Sequence, residues 1–176
     1  RMADIAIINK IDSADPAKVE TVKKAIMDNN PAAAIIMANS PITVEDPEAI
    51  KGKKVLVVED GPTLTHGDMA YGAGVIISQK LGAELIDARP YAVGSIKTTF
   101  NKYNHLSNLL PAMGYGQTQI EELEKTINDS PAEVVVIGTP IDLRRIMKID
   151  KPAVRVRYDL EETGDAKLVE LLSKIR

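Results

Sequence analysis

Short, nearly unbroken runs of Val, Ile, Leu and Ala constrain this chain most. They fall at residues 4–8, 34–38, 55–59, 83–87, 133–137 and 154–158. A strand with one solvated face would alternate apolar and polar residues, so continuous runs predict parallel strands covered on both faces. Between them, apolar residues spaced by three and four predict helices over 16–28, 68–81, 117–129, 140–147 and 164–175. Alternation of this kind predicts an α/β fold: a doubly wound, mainly parallel sheet with helices on both faces, three-layered and Rossmann-like. Residues 40–53 are polar and contain Pro41 and Pro47, which makes them the best boundary candidate. Residues 1–45 are therefore expected to end a nucleotide-binding domain. Residues 46–176 then form an α/β domain, separate from the first or continuous with it.

Composition narrows the function classes. With 176 residues, 44% of them apolar, the chain can bury a substantial core. A net charge of −3 argues against an extended nucleic-acid surface. No cysteine is present, so disulfides, thiolate chemistry and Cys-based zinc sites are excluded. No run of 18 apolar residues suggests a membrane partner, and a cytoplasmic location is expected.

The first strand runs into Asn9-Lys10-Ile11-Asp12. A carboxylate at the Asp12 position can accept from both N1–H and the C2 amino group of guanine, a donor pair that adenine lacks. Asn9 could bond the other edge of the base, and Lys10 could lay its aliphatic stem over the ring. Asn39 and Ser40, closing the second strand, could offer a backbone amide to the purine carbonyl. The plainer alternative is a pair of ordinary strand-end turns, with Asp15-Pro16 starting the next helix. A phosphate-binding Gly-x-x-x-x-Gly-Lys-Ser/Thr loop is absent, and Gly94-Ser95-Ile96-Lys97-Thr98 lacks both its first glycine and its spacing. A base-reading motif as early as residue 9 leads us to expect that the phosphate-binding half lies upstream.

Glu59 to Asp68 is the densest polar cluster, placed between a Val-rich strand and a helix. Gly61 and Gly67 permit close backbone approach, and Thr63, Thr65 and free amides could hold a phosphate. His66 could bond that phosphate or shuttle a proton, with Asp60 and Asp68 as partners or as holders of magnesium. The competing view is a Gly-Pro turn followed by a helix capped by Asp68. Farther along, Arg89, Lys97 and Lys102 could bind an anionic substrate, and His105 could act as an acid or base. The stretch around them is long and polar enough for a lid or interface. At the fifth strand end, Gly138 would open the backbone. Thr139 and Pro140 read as an N-cap and first helical residue, with Arg144 and Arg145 either reaching phosphate or facing solvent.

Several longer strings carry a resemblance. Val57-Val58-Glu59-Asp60-Gly61-Pro62-Thr63-Leu64-Thr65-His66-Gly67 resembles the predicted GTPases related to cyclic 2,3-diphosphoglycerate synthetase. So do Ala88-Arg89-Pro90-Tyr91-Ala92-Val93-Gly94-Ser95-Ile96, Leu110-Pro111-Ala112-Met113-Gly114-Tyr115-Gly116 and Val136-Ile137-Gly138-Thr139-Pro140-Ile141-Asp142-Leu143. The resemblance implies a P-loop region ahead of the part seen here and a ligase-type enzyme. That enzyme would use a nucleoside triphosphate with Mg and act on a phosphorylated small molecule. Asp12 favours GTP, whereas the synthetase chemistry implies ATP. Without a P-loop this chain is expected to show no turnover alone. A different class stays open, a metabolite-binding or assembly domain without catalysis, as does pairing of two copies along an exposed sheet edge.

Overall fold

The Val- and Ile-rich runs form two sheets, and the computed structural model describes residues 2–66 and 69–174. In chain order the first elements are β1 (Ile5–Ile8), α1 (Pro16–Asn29), β2 (Ala34–Asn39), β3 (Ile42–Val44), α2 (Pro47–Ile50) and β4 (Lys54–Asp60). Next come α3 (Gly61–His66), α4 (Ala73–Lys80), β5 (Glu84–Leu85), α5 (Gly94–Lys102), β6 (Leu110–Ala112), α6 (Gln117–Asp129) and β7 (Val134–Ile137). The chain closes with β8 (Ala153–Tyr158), β9 (Glu161–Thr163) and α7 (Leu168–Leu172). Strand pairing is mainly parallel, and the fold is α/β and Rossmann-like.

The chain divides into two compact units, Arg1–Pro41 with Tyr158–Arg176, and Ile42–Arg157. In the first, β1 pairs parallel with β2, and β9 joins β2 from the other side, antiparallel. Asp15 caps α1 by accepting from the Ala17 N–H at 2.8 Å, with Pro16 at the first helical position. Ile8, Val19, Ile36 and Ala38 are its buried apolar residues.

The second unit holds the larger core. Its sheet runs β3-β8-β7-β4-β5, and β6 pairs with β4 along the same edge as β5. Val55 to Val58 and Val135 to Ile137 are all 0% exposed, as strands covered on both faces must be. The chain leaves β4 for β5 and β6 on one side, then returns through α6 to β7 on the other. The order of connection therefore reverses between β4 and β7. Ligand crevices of open α/β sheets form at such a reversal, beyond the carboxyl ends of the strands.

Several expected helices are shorter. The pattern at 68–81 yields α4 from Ala73, and residues 67 and 68 lie outside the described residues. The pattern at 140–147 gives only a 3-10 turn, Leu143–Arg145, because Asp142, not Thr139, caps it by accepting from Arg144 N–H. Thr139 instead donates to the Ile141 carbonyl at 2.6 Å. The polar stretch after Arg89 contains α5 and β6, so part of the expected lid is built into the domain. Glu122 of α6 accepts from the Ser95 N–H at 3.0 Å and thereby caps α5 from a neighbouring helix.

Candidate functional site

β4 ends in two carboxylates with different surroundings. Glu59 is 3% exposed, although carboxylates avoid burial. Its Oε1 accepts from the Val75 N–H at 3.0 Å, and the Gly74 N–H also faces the group. These are amides of the first turn of α4, whose unsatisfied donors and dipole favour a negative charge. The backbone fits closely around the acid. A Cβ at Gly72 would stand 2.5 Å from Glu59 Cδ, one at Gly74 3.0 Å from Oε1, and one at Gly138 2.9 Å from Cδ. A side chain at any of these three positions would force the Glu59 carboxylate to shift. Burial pushes the Glu59 carboxyl up to about 7, against the Val75 and Gly74 amides, while Asp60 adds repulsion.

Asp60 is less enclosed than Glu59. Its Oδ2 accepts from Thr63 Oγ1 at 2.5 Å, across the first turn of α3. Gly61 is buried beside the Ala112 carbonyl and Met113 Sδ, so a side chain there would meet the loop that follows β6. That loop brings in Tyr115. Burial raises its phenol, with the Thr139 side chain opposing and Asp60 adding. The Tyr115 hydroxyl is buried beside the Thr139 side chain. Thr139 is 2% exposed and Gly138 adjoins the Glu59 carboxylate, so the ends of β4, β6 and β7 converge.

Of the residues singled out in the sequence, Asp60, Gly61, Thr63, Gly138 and Thr139 belong to this crevice. Thr65 is buried in α3, its hydroxyl donating to the Pro62 carbonyl, and His66 is exposed at the end of that helix. Gly67 and Asp68 lie outside the described residues. Arg89 is not directed at the crevice. Its guanidinium grips the Asp87 carboxylate at 2.6–2.9 Å, which holds that carboxyl below its ordinary value. Lys97 is exposed on α5. Lys102 Nζ lies 5.2 Å from the Tyr103 ring centre, and His105 meets the same ring edge-on. Tyr115, and the burial of Glu59, stand out only in three dimensions. The hints were an acid ending a Val-rich strand and a tyrosine between Gly114 and Gly116.

The first unit carries the Asn9–Asp12 loop and the end of β2. Asn9 Oδ1 accepts from the Lys10 N–H at 2.8 Å, and Lys10 takes a left-handed conformation, φ 62°. Asp12 is exposed, with Oδ1 accepting from the Ser40 N–H at 3.1 Å. That amide is thus engaged by Asp12, and Asn39 donates to Glu161 at 3.2 Å. Among the described residues no group of three His, Cys, Asp or Glu is placed to hold a metal ion, and no helix is long and apolar enough to cross a membrane.

Fold and strand ends together define a Rossmann-like α/β domain with a polar cluster beyond the carboxyl ends of β4, β6 and β7. No family model matches the chain. It is 60% identical over 175 residues to the arginine synthetase ArcE of Thermococcus kodakarensis. The match covers 99% of this chain and 39% of that protein, so the chain is similar to part of a larger synthetase and spans well under half of its length.

Proposed function

We propose that this chain is the substrate-binding part of a nucleotide-dependent synthetase whose product is arginine. Identity of 60% along nearly the whole chain to a protein of that name supports the product. The observation that carries a small-molecule site is the convergence of Glu59, Asp60, Tyr115, Gly138 and Thr139 at the reversal of strand order. Asn9, Lys10 and Asp12 would hold the base of the nucleotide, GTP in preference to ATP. Asp12 is free of any ion pair among the described residues and keeps Oδ2 for the second bond of a bidentate contact. The nucleotide, with Mg, would supply the phosphoryl chemistry that drives bond formation. No P-loop lysine occurs in this sequence, so the phosphates would be handled by other parts of the protein.

Turnover of the intact synthetase tests this. Phosphate release from GTP or ATP coupled to arginine formation supports it. Release that requires 2,3-diphosphoglycerate would favour the phosphoanhydride-forming synthetase instead. Nucleotide and metabolite binding without any release would leave a non-catalytic domain.

A further inference from the structure

We propose that the outer edge of β1 is a docking surface, occupied by a parallel strand from the part of a longer synthetase that has no counterpart in this chain. The inference rests on the synthetase reading above and names the partner that the first unit requires. The arginine synthetase is matched over 39% of its length, so most of such a protein lies outside these residues. The two edges of the first sheet differ in kind. Its order is β1-β2-β9, and β1 pairs with no other strand among the described residues. Outer strands are protected by charges, proline or bulges, because their unpaired N–H and C=O groups invite another strand. β9 follows that rule with Glu161-Glu162-Thr163. β1 breaks it, since Ile5-Ala6-Ile7-Ile8 has no charged, polar or proline residue. Ile5 and Ile7 point to one face of the sheet, Ala6 and Ile8 to the other, and their β2 neighbours Ala34 to Met37 are apolar too. A strand apolar on both faces belongs to the interior of a parallel sheet, not to its rim.

Burial points the same way. Ile8 is 7% exposed, whereas Ile7 on the same strand is left 40% exposed. Val22 and Met27 of α1 are about half exposed. Among the described residues, eight of the twelve exposed large apolar side chains belong to this unit, although it holds only about a third of the chain. A core of four buried apolar residues is marginal on its own, so the unit gains stability from whatever covers the edge. A second copy of the chain suits the edge less well. Twofold pairing of two β1 edges would run antiparallel over four residues, whereas strands apolar on both faces pair in parallel.

Hydrogen–deuterium exchange of the 176-residue chain and of the intact synthetase tests the inference. The outward-facing β1 amides should exchange freely in the chain alone and about tenfold or more slowly in the intact protein. Ile7→Lys should move the melting temperature of the chain alone by less than about 2 °C and lower that of the intact protein by about 5 °C or more. Equal exchange of β1 in the two proteins, or an equal effect of Ile7→Lys on both, would overturn it. So would β1 protection that grows with the concentration of the chain alone, together with dimers in analytical ultracentrifugation, because a second copy would then hold the edge. Arginine formation by an intact synthetase whose β1 exchanges freely would sink this surface and spare the proposed function. A protected β1 in an intact protein that makes no arginine would do the reverse.

Discussion

Replacing Glu59 by Gln should change how stability depends on pH. The native carboxyl moves from an ordinary 4.5 to about 7 on folding, because burial disfavours its charge. A raised acid binds its proton more tightly in the folded state. Between these two values the unfolded chain has lost the proton and the folded chain keeps it, so stability falls as pH rises. Each pKa unit corresponds to about 1.4 kcal/mol, so the shift costs the folded state on the order of 3 kcal/mol above pH 7, most of it accumulating from about pH 5 upward. The residue is 3% exposed, so solvent does little to screen the effect. Glutamine has nearly the same shape, can still accept from the Val75 N–H, and does not titrate. Urea unfolding of both proteins at several pH values from about 4 to 8 would measure the difference. The wild type should lose about 3 kcal/mol relative to Glu59→Gln across that range. Parallel curves would show that the Glu59 carboxyl is not desolvated as the glycine cradle implies.

Other outcomes follow from the same structure. Gly138→Ala should destabilise by about 1–3 kcal/mol in thermal unfolding, because the added methyl overlaps the Glu59 carboxylate. The penalty should shrink when Glu59→Ala is present as well, a coupling that a double-mutant cycle reads. The carboxyls of Glu45 and Asp142 lie below their ordinary values, chiefly because Arg144 bonds them, so their contribution is present above the ordinary carboxylate range and lost as acid protonates them. Arg144→Ala should flatten that acid limb and lower stability by about 1 kcal/mol, less at high salt. On the proposed reading of the Asn9–Asp12 loop, Asp12→Asn should weaken guanine-nucleotide binding about tenfold or more in a fluorescent GDP titration, with adenine nucleotides little affected.

How far the sequence could be read differs from element to element. α1 and α6 match their expected ranges within a residue because their caps and spacing are local, and β4 and β7 because unbroken Val runs can hardly be anything else. α5 is capped by Glu122, 27 residues away, and β6 contains Pro111 yet pairs with β4 at an edge, so neither shows a local signal. The sequence by itself determined the alternation of strand and helix, the early Asn9–Asp12 loop and the polar cluster after β4. Only the tertiary structure decided that Glu59 at the end of β4 is enclosed, whereas His66 is exposed and Arg89 is held by Asp87. Burial and charge environment arise from groups distant in the chain, here Gly72, Gly74 and Gly138 closing around one carboxylate and Asp87 taking Arg89 away. A strand end shows where a ligand can sit, but the pKa and free valences there depend on what the fold packs against it.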